Sequence, residues 1–531
     1  MYKSIDSGTF VLQSIDDRAQ AQDYPTALRM LERHWPLLAE LQGDAVRALI
    51  TRIPEREWAD DPAILAALGA SYGTSGSQNR SAALPWFDSA ERMARRDAPA
   101  QLPGILLHRA ATLRALGRLD DAASAIDEAE ALLAEHRALI PSMHITLQAR
   151  AAAQKGMVLL HRGRYDDASA LLVLATDLES ELGAAELVEC RSALALIAAV
   201  SGEYARSEEE SMLAHRTAGD DGLMQSHFGA PAVIAEAMIA VRRLRLADAV
   251  ALNPALGVIG RLPEWQAFAR YAQAAISSVN GRGIEALELA RRALEAARTW
   301  QGDVVVRSHC AGLRATVLLQ LGDLEAALDA AKSVDPGANH EQCTARHIAG
   351  VRLRQGDPAG ALEALASCDE LGDGHSVRTL LDTLLLTAAA RYDLGSATQG
   401  HIAFDRALHL AGATGMRSPF ISLPQGSLRR MLGRAFDRNQ PASVHAILEE
   451  LRGDDDIDMS MNDPLSEREL VITHHLALDK TVSQIAAELF ISTNTVKTHV
   501  RSIYRKLEAS NRKEALLRVQ ELGLRLEITP G

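Results

Sequence analysis

Lys497, Arg501 and Arg505 stand at i, i+4 and i+8 near the end of a 531-residue chain, with Thr498, Lys506, Arg512 and Lys513 close by and no acidic residue between Lys497 and Glu508. Side chains four apart share one face of a helix. Ammonium and guanidinium groups in a row bind phosphate oxygens, and Lys and Arg also reach the acceptor edge of guanine, while the Thr methyl suits thymine. The chemistry is therefore recognition of a polyanion. Beside this face, Val496, Val500, Ile503 and Leu507 recur at steps of four, three and four, which predicts one buried stripe.

Three further elements must position that helix. Ser466 and Glu469 form a capping box ahead of Leu470, Ile472 and Leu476, and Thr481 and Gln484 form another ahead of Ile485, Ala486 and Leu489. Ser492 caps the basic helix, and a fourth helix runs from about Arg512 to Leu522 with Ala515, Leu516, Val519 and Leu522 on one side. Two short capped helices joined by a tight turn predict a helix-turn-helix, whose second helix enters the DNA major groove.

At this point the chain resembles the LuxR-type helix-turn-helix family. Its residues are Leu465, Ser466, Arg468 and Glu469; Ile485, Ala486, Leu489, Ile491, Ser492, Thr495, Val496, Lys497 and His499; then Ile503, Tyr504, Lys506, Leu507, Asn511 and Arg512. Two positions where that family favours glycine hold Asp479 and Glu508; Asp accepts positive φ more readily than Glu. The resemblance implies base contacts from Lys497, Thr498 and Arg501, and backbone contacts from Thr495, Arg505, Lys506 and Arg512. It also implies a homodimer on double-stranded DNA. His499 is expected to pack or hydrogen-bond, and adjacent His474 and His475 point to different helix faces.

Composition sets the rest. Hydrophobic residues are 47% of the chain but aromatics only 4%, so the apolar content is mainly Ala and Leu and favours helix over sheet. No apolar run approaches the roughly 18 residues a membrane helix needs, and the N-terminus lacks a secretory pattern; the expected location is cytoplasmic, away from the membrane. ALALIAAV, 193–200, reads as a buried helix. Cys190, Cys310, Cys343 and Cys368 are scattered, with no C-x-x-C pair, and read as structural thiols with no metal or cofactor. The net charge is −13, yet from Leu465 onward ten Lys and Arg face eight Asp and Glu, or +2, leaving −15 before it. An acidic body repels DNA and confines binding to the C-terminal module.

That body repeats. A glycine followed five residues later by a small residue recurs at Gly117, Gly163, Gly202, Gly281, Gly322, Gly356 and Gly395, and a degenerate copy has Leu244 at the glycine position. The intervals are 46, 39, 42, 37, 41, 34 and 39 residues. Such a period predicts stacked helical hairpins. The pattern resembles tetratricopeptide repeats over residues 60 to 412. Ahead of it, Trp35, Ile53-Pro54 and Asp61-Pro62 are similar to the segment where large ATP-binding LuxR-type regulators enter their repeats, but the sequence holds no G-x-x-x-x-G-K-[ST] loop.

The reading is all-α: an N-terminal helical segment, 1–59; a tetratricopeptide-like hairpin array, 60–452; an acidic flexible linker, 453–464; and a four-helix LuxR-type domain, 465–531. No catalytic constellation appears, and enzymatic activity is not expected. The expected function is a bacterial transcription regulator whose array senses an unknown ligand or protein. The alternatives are a helical-repeat adaptor, or the output subunit of a separate ATPase chain. The charge split suggests that the array holds Lys497, Arg501 and Arg505 until an effector or dimerisation frees them.

Overall fold

A computed structural model describes residues 5–521, apart from 74–79, 136–142, 220–221, 301–303, 334–339, 341, 424, 437–441, 454–464, 466 and 508. Every regular element among the described residues is a helix. None is long and apolar enough to cross a membrane. All but the first residue of the expected linker lies outside the described residues.

The repeat turns follow from backbone sterics. All seven predicted glycines have φ between 75° and 91°, and Leu244 joins them at φ 56°. At each turn the next amide reaches back to a carbonyl five residues earlier, as in Arg118 to Leu113 at 2.9 Å, Glu203 to Ala198 at 2.8 Å and Arg245 to Ala240 at 2.8 Å. This Schellman arrangement satisfies carbonyls that the helix end would otherwise leave open. The small residues then start the return helix in contact with its partner: Ala122, Ala168, Ser207, Ala249, Ala286, Ala327, Ala361 and Gly400 are all buried. A larger side chain would hold the two helices apart.

The chain forms two compact units. The first comprises Met1–Ile276, Glu288–Ala311 and Ser376–Arg378. In it, helix Tyr24–Arg52 carries Pro36 and a non-helical Gln42, and ends where Ile53 turns extended before Pro54. Asp61 caps Pro62–Ser71, accepting from the Ala63 amide at 2.9 Å, so the chain leaves one helix at Ile53-Pro54 and enters the next at Asp61-Pro62. Helix Ala184–Ser201 buries every residue of 193–200. Trp35, Trp58 and Phe87 belong to one apolar core, and a Cβ on Gly69 would lie 2.9 Å from the Phe87 ring. That glycine permits the close approach of two helices.

The second unit comprises Ser277–Leu287, Gly312–His375 and Thr379–Gly531. It includes helices Leu324–Lys332, Ala345–Arg354 and Pro358–Leu371, then Ala397–Thr414, Gln425–Phe436 and Ala442–Gly453. The four terminal helices are Glu467–Ala477, Val482–Glu488, Thr493–Lys506 and Arg512–Glu521. Their core is separate and small: Leu465, Ile472, Leu476, Ile485, Ala486, Val496, Ile503, Leu507, Ala515 and Val519.

Candidate nucleic-acid interface

The basic helix is set by local chemistry. Thr481 accepts from the Gln484 amide at 3.3 Å while the Gln484 side chain accepts from the Thr481 amide at 2.9 Å, the predicted capping box. Ser492 accepts from the Thr495 amide at 3.0 Å and starts Thr493–Lys506. Asp479 adopts φ 64° in the turn after the first helix, as the departure from glycine requires. The Ser466 box and Glu508 lie outside the described residues.

Val496, Ile503 and Leu507 are buried and Val500 packs beside them, so the stripe turns the polar face outward. Lys497, Thr498 and Arg501 are exposed on that face. Arg505 and Lys506 continue the same helix. Within the second unit the array meets this helix beside that face: the Thr495 hydroxyl lies 3.5 Å from an Asp323 carboxylate oxygen, and the His499 ring would stand 3.9 Å from a Cβ on Gly322. His499 is half-buried there, in keeping with a packing role.

Arg512 has a different setting from the other basic residues. Its guanidinium donates to the Leu476 carbonyl, approaches the Lys480 carbonyl at 3.5 Å, and pairs with Asp479 at 2.9 Å. The side chain is 30% exposed. It thus closes the end of the first helix from inside the domain, an engagement that the sequence resemblance did not indicate.

The first unit holds a second polar centre that the sequence did not reveal. Arg114 donates to Glu189 at 2.6 Å, Arg80 to Glu264 at 3.2 Å, and a second Arg114 nitrogen lies 3.9 Å from Glu264. All four side chains are at most 8% exposed, and their partners lie 75 and 184 residues apart in the chain. Burial opposes the charge on Glu264, but Arg80, His227 and Arg114 hold its carboxyl at about 2. Burial lowers His161 to about 3, helped by Arg114, and His227 to about 4. One Glu264 oxygen and two Arg114 nitrogens have no hydrogen bond. With Arg150, Glu186 and His227 they line a small cleft.

The second unit gathers two of the cysteines. The sulfurs of Cys343 and Cys368 lie 3.5 Å apart, and Nδ1 of His340 is 3.5 Å from Cys368. Scattered in the sequence, these two thiols are brought together by the fold. The hydrogen bond with Cys368 lowers the Cys343 thiol against the effect of burial, with aid from His375 and Arg346, and Cys368 is raised in turn.

Residues 463–519 match the family described as bacterial regulatory proteins, luxR family. This stretch is a LuxR-type helix-turn-helix domain. The chain is also similar to the HTH-type transcriptional regulator MalT of Vibrio campbellii (strain ATCC BAA-1116), 27% identical over 223 residues that cover 37% of this chain and 24% of the relative. With MalT of Vibrio parahaemolyticus serotype O3:K6 the identity is 39% over 59 residues, 11% of this chain and 6% of the relative. The chain thus spans about a quarter or less of the relatives' length. Among solved structures, the APC/C hetero-tetramer Cut9-Hcn1 aligns over 98% of this chain and 96% of its own, at TM-score 0.37 and 14% identity.

Proposed function

We propose that the chain is a DNA-binding transcription regulator in which the helical array receives a signal and the LuxR-type domain delivers it. The observation that carries this reading is the exposed set Lys497, Thr498 and Arg501 on a capped helix whose opposite face is core. In this reading those three residues contact base edges, and Thr495, Arg505 and Lys506 contact phosphates. Arg512 supports the turn from within. Two copies pair on DNA, with half-sites about one helical turn apart; Leu517, 50% exposed on the last helix, is available for that pairing.

The input side is the cleft of the first unit. Its incompletely bonded Arg114 and Glu264 suit a small polar effector that carries both donors and acceptors. Thermal shift against a panel of polar metabolites tests this, with Ala111→Leu as the control because Ala111 lines the cleft and carries no charge. A stabilising compound that acts equally on Ala111→Leu binds somewhere else.

The decisive experiment on the output side selects duplexes from a random pool with the full-length chain and measures affinity at fixed salt. Lys497→Ala and Arg501→Ala should each lose about 1–3 kcal/mol on the selected site. Failure to enrich any sequence, or unchanged affinity in both variants, overturns the reading.

A further inference from the structure

The geometry points to a structural zinc site formed by His340, Cys343, Cys368 and His375, which clasps the open end of the helix pair Ala345–Arg354 and Pro358–Leu371 in the repeat array. One ligand atom from each residue lies within 4.8 Å of all the others. Tetrahedral zinc, with Zn–S near 2.3 Å and Zn–N near 2.0–2.1 Å, separates its ligand atoms by about 3.3–3.8 Å. The S···S and S···N distances of 3.5 Å already fall in that range. The two imidazoles meet edge to face at 5.3 Å, so each can turn a nitrogen toward the same point.

The donor set selects the metal. Two thiolates and two imidazoles, with no carboxylate among the four, suit zinc and disfavour the oxygen-seeking magnesium, calcium and manganese; a Rieske-type cluster uses the same donors but places its thiolates and imidazoles on different irons, too far apart for the 3.5 Å between Cys368 and His340. Cys343, Cys368 and His375 are buried. Four protein ligands in a closed setting leave no position for substrate, which is the arrangement of structural rather than catalytic zinc. Binding releases the thiol protons to solvent as the sulfurs coordinate.

The topology explains what the metal would do. His340 and Cys343 lie in the loop entering the first helix, Cys368 near the end of the second, and His375 in the turn beyond it. Gly356 joins the two helices at the opposite end. The metal therefore fastens the end that the covalent chain leaves open. The surrounding backbone is already directed: His340 holds φ 56°, and its carbonyl accepts from Thr379, whose side chain is fully buried, at 2.7 Å. Support of this kind from behind orients metal ligands.

The test is zinc content of the full-length chain, purified without a histidine tag and under reducing conditions, followed by cobalt reconstitution of the chelated protein. We expect about one zinc per chain and, with cobalt, the absorption of a tetrahedral ion with sulfur-to-cobalt charge transfer. Cys343→Ser with Cys368→Ser should abolish both, His340→Ala with His375→Ala should shift the cobalt spectrum or abolish it, and Cys190→Ser should leave both intact. Should the double variants not fold, the wild-type chain still decides. Absence of stoichiometric zinc together with octahedral cobalt, or a Cys343–Cys368 disulfide under the same reducing conditions, overturns the proposal.

Discussion

Arg512→Ala separates two roles that the same basic residue can play at this domain. The guanidinium donates to the Leu476 carbonyl and pairs with Asp479, whose side chain is 97% exposed. An ion pair to so exposed a partner contributes less than about 1 kcal/mol, whereas a hydrogen bond from a charged donor to a partly buried carbonyl is worth about 1.5–3 kcal/mol. Loss of the side chain should therefore cost the helix-turn-helix core about 2 kcal/mol, or roughly thirtyfold faster opening. Amide hydrogen exchange over residues 470–507 of the full-length protein reads this directly. Asp479→Ala should have a smaller effect, and Asp479→Gly should recover part of it because the residue sits at φ 64°. If Arg512→Ala leaves exchange unchanged and weakens DNA binding, the side chain works on phosphate and the structural assignment fails.

Four other outcomes follow from the same geometry. Lys497→Ala and Arg501→Ala should leave exchange in the core unchanged, since both side chains are exposed. Asp323→Asn retains an acceptor for the Ala326 amide but removes the charge beside Thr495, and should raise DNA affinity by about two- to fivefold; equal affinity means that the array contact does not restrain binding. His161 is buried and His108 half-buried, and both are held near 3 by desolvation, with Arg150 adding to it at His108 and Arg114 at His161. Because the unfolded chain takes up those protons first, the stability they confer is complete above their ordinary value of 6.5 and falls as pH drops toward 3. Each should cost about 2 kcal/mol at pH 5, measured by urea unfolding across pH, and His161→Phe should remove its share of the slope. Gly202→Ala should unfold the first unit locally, because a Cβ would lie 2.7 Å from the Arg378 backbone nitrogen at φ 91°; unchanged melting would refute that packing.

Much of the output domain was legible because its determinants are local. Thr481 and Gln484 are three residues apart, and so are Ser492 and Thr495; a cap is decided within one helical turn. Asp479 and the repeat glycines declare a left-handed backbone by residue type alone, and even Leu244 was identifiable from the copies around it. That locality stops at Arg512. Its helix position was readable, but the carbonyl it meets belongs to a residue 36 positions earlier.

The sequence by itself determined an all-helical chain, the places where its hairpins turn, and a basic helix with one buried stripe, since periodicity and steric preference act over a few residues. Only the tertiary structure decided which side chains share a site. Cys343 and Cys368 are 25 residues apart and meet because two helices fold back about Gly356. Arg80 and Glu264 meet across 184 residues because burial leaves each charge no better partner. Contacts of that kind carry no spacing rule, so they become visible only when the helices are packed.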